Sequence, residues 1–232
     1  MELGTFTPGS ALITVVLIAL APFFAVMVTS FTKIVVVLAI VRSALGLQQT
    51  PPNVVLNGLA LILTVYVMYP TLQDMSAAAG VGDTAVATMP GDEPATPAQI
   101  EGTQEIMSTA DRVKEPLRKF LIANTEVNDR AFFLATQRRI SGPDRASELS
   151  DTDFVIIVPA FAVRELKIAF QIGFLIFLPF LIIDLVISNI LLALNMMMLS
   201  PVTISLPFKI LLFVLIDGWV KLTHGLVLSY AM

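Results

Sequence analysis

The fold is decided by residues 165–221, which read ELKIAFQIGFLIFLPFLIIDLVISNILLALNMMMLSPVTISLPFKILLFVLIDGWVK. An apolar run from Ile168 to Ile187 leads into an uncharged connection, Ser188 to Leu206, and a second apolar run continues from Phe208 to Leu228. A run of about 20 apolar residues has the length of a membrane-crossing helix. The pattern therefore predicts a hairpin of two apolar helices joined by a soft, uncharged turn.

Three consecutive methionines, Met196, Met197 and Met198, lie in the middle of that connection. The turn of a membrane hairpin normally faces water, yet no charged residue lies between Asp184 and Lys209. Methionine has three rotatable bonds and a polarizable sulfur, so a cluster can fill an irregular gap and move aside again. Two interpretations stay open at this point: ordinary packing between helices, or a deformable seal.

The composition extends the apolar character to most of the chain. Mean hydropathy is +0.84, and only 14% of residues are charged, against about 25% in ordinary soluble domains. Of the 18 acidic residues, 15 lie between Thr71 and Glu165, so one hydrophilic insert separates two apolar parts. The net charge of -4 and the lack of a basic cluster exclude nucleic acid as an expected partner. Cysteine is absent.

The N-terminal apolar run is interpreted as retained, because no Lys or Arg precedes it as a cleaved signal requires. It extends from Ala11 to Val41, about 46 Å as one helix, which exceeds the roughly 30 Å hydrocarbon core. We expect a break near Pro22 or a projection beyond the membrane. A second helix is predicted from Val54 to Tyr69, with Thr50 as its N-cap and Pro70 at its end. Such a short helix would need its ends covered by protein or by a thinned bilayer.

The insert is predicted to be a small helical region with a flexible leader at Ser76 to Pro97. Helical spacing over Asp111 to Ile140 indicates two helices separated near Asn124 to Asn128, with Pro116 in a first turn. The segment Phe154 to Val158 could be a strand, but the start of a long helix is preferred. Pro179 is expected to kink that helix.

The predicted fold class is all-α, with four hydrophobic helical units in two hairpins and a small helical insert between them. Residues 1–70 form the N-terminal hydrophobic helices, residues 71–163 the insert and residues 164–232 the C-terminal hairpin. Because basic residues in short loops favour the cytoplasm, Arg42, Lys33 and Lys209 predict that the insert lies on the opposite face.

Catalysis is not expected. The sequence has no HExxH, no GxSxG, no GxxxxGK[ST] and no GxGxxG motif, and no metal or cofactor is implied. Asp184 and Asp217 could form an intramembrane acid dyad, but only apolar residues and a glycine surround them in sequence.

An ion- or proton-coupled transporter of small solutes is the alternative function, since ionisable residues inside apolar helices are costly and usually functional. The transporter would use Lys33, Asp184, Lys209, Asp217 and Lys221. Together with Glu165 and Lys167, these residues are predicted to be buried charges that pair helices or subunits. Amines and carboxylates occur among them in similar numbers. Asp217 and Lys221 are four residues apart, so we expect these charges to form pairs within or between subunits.

Four stretches resemble the FliP/SctR family, the major export-gate subunit of bacterial type III secretion systems. They are MVTSFTKIVVVLAIVRSALGLQQTPPNVVLNGLAL (27–61), RELKIAFQIGFLIFLPFLIIDLVI (164–187), NMMMLSP (195–201) and ISLPFKILLFVLIDGW (204–219). The resemblance implies five copies assembled with small FliQ/SctS-like subunits and one FliR/SctT-like subunit, beside other export-apparatus proteins. It also implies helices that are partly lifted out of the bilayer.

In that family the methionine triplet forms a gasket that lines the closed pore, and here it maps onto Met196, Met197 and Met198. The resemblance also gives importance to Asp184, Lys209 and Glu165. It implies passage of unfolded polypeptides across the bacterial inner membrane, a multi-pass protein in contact with lipid, and a periplasmic insert. The missing signal and the C-terminal sequence favour the injectisome, the virulence-associated system, over the flagellum.

Overall fold

The computed structural model describes residues 8–80, 103–142, 149–196 and 198–231. These ranges contain eight α-helices and no strand, which confirms the all-α class. The helices are α1 (Pro8–Met27), α2 (Phe31–Ala44), α3 (Asn53–Ala78), α4 (Thr103–Ala123), α5 (Val127–Ser141), α6 (Phe154–Ala193), α7 (Pro201–Leu215) and α8 (Gly218–Leu228).

Two helices, α3 and α6, are long and apolar enough to cross a membrane. The bent pair of α7 and α8 makes a third if the two are counted as one span. The protein is therefore a membrane protein by length and composition of its described helices.

The chain divides into two compact units. One comprises the described residues of Met1–Thr64 and Glu165–Gly225, and the other those of Val65–Arg164 and Leu226–Met232. Both units draw on α6. The division into residues 1–70, 71–163 and 164–232 stays a prediction.

The first apolar run is broken, but seven residues after Pro22. That proline lies inside α1, and the break falls at Val28 to Ser30. The hydroxyls of Thr29 and Thr32 both donate to the carbonyl of Val26, at 3.4 and 3.2 Å. Hydroxyl side chains that bond nearby carbonyls compete with the helical ladder, so the polar cluster ends α1 where the proline does not.

The second apolar helix is longer than its sequence suggested. Helix α3 has 26 residues and continues through Pro70 to Ala78. It is therefore long enough to cross a bilayer of ordinary thickness. A proline inside a helix withdraws one donor, and here the helix continues beyond it. The prediction of Thr50 as N-cap is also wrong, since the Pro52 carbonyl accepts the first bonds from Val55 and Leu56.

The insert contains the two predicted helices, α4 and α5, separated by residues 124–126. Pro116 lies well inside α4 rather than in a first turn, and most of the predicted leader lies outside the described residues. Helix α6 begins at Phe154 and runs for 40 residues, which confirms the helical interpretation of Phe154 to Val158 and excludes the strand. It extends beyond the predicted apolar run at both ends.

The last apolar run is divided where the sequence suggested one helix. Helix α7 begins at Pro201, with Pro207 inside it, and the chain bends by 61° between α7 and α8. Asp217 in the break has φ +52°, a left-handed conformation that ends a right-handed helix.

Helix α2 supplies much of the core of its unit. Ile34, Val37, Leu38 and Val41 are fully buried, and their spacing of three and four residues places them on one face of the helix. Gly173 of α6 lies against Ile40 of α2, and a Cβ added at Gly173 would fall 2.4 Å from the Ile40 Cδ1 atom. The small residue permits this close approach.

Candidate functional site

The methionine turn, residues 194–200, is fixed at its start by the end of α6. The backbone N–H of Met196 donates to the Leu191 carbonyl at 2.9 Å, and that of Asn195 donates to the Leu192 carbonyl at 3.1 Å. Asn195 has φ +54°. This is a Schellman motif with asparagine at the left-handed position, where asparagine substitutes for glycine. The first methionine therefore follows a well-defined helix end.

Two methionines of the turn lie on the surface of the single chain. Met196 is 48% exposed and Met198 is fully exposed, while Met197 lies outside the described residues. Leu199 beside them is 46% exposed. Packing inside one chain therefore does not account for Met198, and the turn presents uncharged, flexible side chains outward.

Asp184 and Lys209 lie close together below the turn. The Lys209 Nζ atom is 2.7 Å from Asp184 Oδ2 and donates to the Ala44 carbonyl at 3.1 Å. The Ser205 hydroxyl donates to Asp184 Oδ1 at 2.6 Å. Lys209 is buried, whereas the Asp184 side chain is 25% exposed. The lysine thus joins α6, α7 and the C-terminal end of α2, where a cation is favoured by the helix dipole.

Lys33 and Glu165 form a second ion pair. Their Nζ and Oε1 atoms are 3.6 Å apart, and the side chains are 2% and 1% exposed. Lys33 lies in the first turn of α2 and Glu165 in α6, so this pair attaches the opposite end of α2 to the same long helix. A buried ion pair is a poor source of net stability, but removal of one partner is strongly destabilising.

The other predicted residues are not brought into pairs within the chain. Lys167, Asp217 and Lys221 are exposed and have no ion pair within 4.0 Å in the described ranges. The Lys221 backbone N–H donates to the Asp217 carbonyl at 3.0 Å, but no ion pair joins the two side chains. Pairing of these charges between subunits stays a prediction.

Two contributors were missed by the sequence reasoning. Ser205 lies four residues before Lys209 on α7 and binds the same carboxylate, and this i,i+4 spacing was the available signal. The connector after α2 is held by Arg42, whose Nη1 atom donates to Asn53 Oδ1 at 2.6 Å and to the Pro51 carbonyl at 3.3 Å.

The insert has its own polar cluster, contained within the second unit. Arg164 forms an ion pair with Glu126 and lies 3.9 Å from Asp129, while Arg130 lies 3.8 Å from Asp151. These contacts join α5 to the beginning of α6. Within the described residues no group of three or more His, Asp or Glu side chains could hold a metal ion.

These features define an all-α membrane protein in which ion pairs join apolar helices beneath an exposed, uncharged methionine turn. The sequence model of the FliP family matches residues 13–226. The chain belongs to the FliP family, which confirms the resemblance noted from its motifs.

Sequence alignments to named relatives cover nearly the whole chain. It is 43% identical over 224 residues to the hypersensitivity response secretion protein HrcR of Ralstonia nicotianae, covering 96% of this chain and 97% of that protein. It is 46% identical over 222 residues to Yop proteins translocation protein R of Yersinia pestis, covering 94% of each. It is 40% identical over 219 residues to the flagellar biosynthetic protein FliP of Bacillus subtilis, covering 94% of this chain and 90% of that one.

Proposed function

We propose that this protein is a pore-forming core subunit of a bacterial type III secretion export gate, through which unfolded proteins cross the inner membrane. Relatives named for secretion, for Yop translocation and for flagellar biosynthesis support a place in a secretion apparatus. The injectisome is preferred over the flagellum because of the C-terminal sequence from Ser188 to Lys209 and from His224 to Tyr230.

The proposal depends on one observation, the outward-facing methionine turn. Met196 and Met198 are exposed at the end of a hairpin of apolar helices, and no charge lies in the turn that would favour contact with bulk water. A ring of such turns from several copies, here proposed as five, would make a dry constriction that excludes water and ions by dewetting. Thioether side chains change rotamer easily, so an extended polypeptide could displace them.

The exposed apolar faces of the long helices support assembly with partner proteins. Large apolar side chains of α1, α3 and α6 are exposed in the single chain, among them Phe23, Ile62 and Phe174. Many exposed large apolar side chains indicate lipid or protein partners. We propose that other copies, FliQ/SctS-like and FliR/SctT-like subunits, other export-apparatus proteins and lipid cover it.

Replacement of Met196, Met197 and Met198 together by glycine tests the seal. The complex should still assemble, because the turn packs little within the chain, while cells should become permeable to small ions and solutes. Leakage of a membrane-impermeant dye and of potassium is measured. Met27→Gly, at an exposed methionine at the end of α1, is the matched control and should not leak.

Replacement of the same three residues by leucine separates closure from flexibility. Leucine keeps the turn apolar but has a branched, stiffer side chain, so the resting pore should stay closed and export should fall. An assembled glycine variant with unchanged permeability would contradict the gasket role.

The transporter alternative is tested by the mass of the purified assembly. A ring of several copies with smaller partners supports the export gate, whereas a lone monomer or dimer with ion-coupled uptake favours a transporter. The geometry gives the transporter less support, because Lys33, Asp184 and Lys209, three of the five groups it would use, are engaged in ion pairs.

A further inference from the structure

An apolar cavity of about 410 Å³ lies between α6 and the bent pair α7 and α8. Its walls include Ile176 and Phe180 of α6, Phe213 of α7 and Leu222 of α8. The volume falls within the range of roughly 300–1,000 Å³ found for small-molecule sites. The cavity is open to the surface of the single chain and its lining is almost wholly apolar, so the expected occupant has a substantial hydrocarbon part.

The cavity exists because the last apolar run is broken. Helix α7 ends at Leu215 and α8 begins at Gly218 after a bend of 61°, so one continuous helix does not pack along α6. Ile216 and Gly218 from this break form part of the wall. The cavity therefore lies among candidate membrane spans, since α6 and the bent pair are both of this kind by length and composition.

Lys221 supplies the charge of the site. It is the single charged residue in the wall of this cavity, and it forms no ion pair within 4.0 Å in the described ranges. Asp217 is the nearest carboxylate along the chain; the Lys221 backbone N–H donates to its carbonyl at 3.0 Å, but its side chain forms no ion pair with Lys221. A cation beside an apolar cavity is complementary to an anionic group joined to a hydrocarbon chain.

We propose that this cavity binds an acyl chain of an anionic phospholipid, with the Lys221 ammonium at the phosphate. A cavity of about 150 Å³ holds one benzene molecule, so a single aromatic side chain of a neighbour would leave most of this one empty. A flexible acyl chain can fill it. The proposal is independent of the methionine seal.

The sole tryptophan is a built-in reporter. Trp219 lies with its ring centroid 5.2 Å from that of Phe213, which is part of the cavity wall, and the chain contains one tryptophan. A brominated acyl chain quenches indole fluorescence on contact. The full chain is reconstituted into phosphatidylcholine vesicles that contain a few mole per cent of brominated phosphatidylglycerol or, in parallel, of brominated phosphatidylcholine.

We expect stronger quenching by the brominated phosphatidylglycerol. One lysine near an anionic lipid favours it about fivefold. Lys221→Gln should abolish that preference, whereas Lys167→Gln, at an exposed lysine outside the cavity, should keep it. Ile176→Phe should fill the cavity and reduce quenching by either lipid, and Val220→Phe on the exposed side of α8 should not.

Equal quenching by the two brominated lipids in the unaltered protein would overturn the proposal, because Trp219 would then report bulk lipid. Retention of the preference in Lys221→Gln would also overturn it. Loss of all quenching on assembly of the complex would show that a neighbouring protein surface occupies the cavity instead of lipid.

Discussion

Lys209 makes two polar contacts near the methionine turn. Its ammonium reaches the Asp184 carboxylate and the Ala44 carbonyl, so it serves two helices besides its own. Lys209→Met should therefore destabilise the protein by roughly 3–5 kcal/mol, the range for removal of one partner of a buried ion pair. The free energy of unfolding in mixed detergent micelles, followed by circular dichroism, measures this.

Asp184→Asn is the matched comparison. The asparagine keeps an oxygen for the Ser205 hydroxyl and for Lys209, but the buried ammonium of Lys209 then has no counter-charge. The expected loss is therefore also roughly 3–5 kcal/mol. A loss below about 1 kcal/mol for either variant, as for an exposed ion pair, would contradict a structural role for this pair. A reciprocal exchange of the two residues should restore stability only in part, since the bond to Ala44 would be lost.

Gly173 tests the close approach of α2 and α6. Gly173→Ala would place a Cβ atom 2.4 Å from Ile40 Cδ1 and 3.0 Å from Ile40 Cγ2, and overpacking of this kind costs about 1–3 kcal/mol. Ile40→Ala removes both of those atoms and should offset part of the loss in the double variant. The same unfolding measurement applies.

Gly58 in α3 is the control for Gly173. A Cβ added there meets nothing within 4 Å, so Gly58→Ala should stabilise the helix by about 1 kcal/mol through propensity alone. Destabilisation by Gly58→Ala comparable to that by Gly173→Ala would show that glycine itself, rather than the Ile40 contact, matters at these positions.

The contact partner of a residue could be predicted from sequence only where the two residues lie close together along the chain. Asp184 and Lys209 could be proposed as partners because the hairpin of α6 and α7 brings nearby parts of the chain together. Glu165 as the partner of Lys33 was not predictable, since nothing in the sequence specifies how α2 packs on α6. The carbonyl of Ala44 carries no sequence signal at all.

At the scale of the elements, the break between α7 and α8 makes a sharp prediction. Asp217 has φ +52°, which costs a residue with a Cβ atom about 1 kcal/mol relative to glycine. Asp217→Gly should therefore be more stable than Asp217→Ala by about that amount. Asn tolerates the left-handed conformation, so the stability of Asp217→Asn should lie between those of the Gly and Ala variants. The same variant shows the effect of removing the charge.

Val220, an exposed residue in α8, is the control, because its Ala and Gly variants should show the opposite order of stability. In a helix alanine is favoured over glycine by about 1 kcal/mol, so Val220→Ala should be more stable than Val220→Gly. If Asp217 shows the same order as Val220, the chain passes residue 217 as a continuous helix and the bend is absent in the membrane.

The elements themselves were predicted by their apolar runs, and their ends were not. A break was expected near Pro22 and a helix end at Pro70, yet both prolines lie inside helices. The actual ends depend on local bonding, such as the hydroxyls of Thr29 and Thr32. A proline removes one hydrogen-bond donor, whereas the end of a helix leaves four carbonyls without an intrahelical partner. Composition alone does not show where in the chain those carbonyls find other partners.

At the scale of the whole molecule, α6 contributes to both compact units. Its residues before Glu165 lie with the insert helices, where Phe161 is buried beside Phe120 at a centroid distance of 5.8 Å. Its residues from Glu165 onward carry both ion-paired carboxylates of the other unit. Helix α6 is therefore continuous from the insert to the methionine turn.

The orientation of the molecule in the membrane is open to direct measurement, because the chain has no cysteine. We predict that the insert is periplasmic and that the connector after α2 is cytoplasmic, on the basis of Arg42 and its neighbours. Ala135→Cys, in α5, and Ser43→Cys, beside Arg42, introduce single thiols at exposed positions. In intact cells an impermeant maleimide should label Ala135→Cys once the outer membrane is opened, while Ser43→Cys should react only after lysis.

The reverse pattern would place the insert in the cytoplasm and would move the methionine turn to the periplasmic face. Failure of Ser43→Cys to react even after lysis would indicate that partner subunits cover the connector, and denaturation of the complex should then restore its labelling.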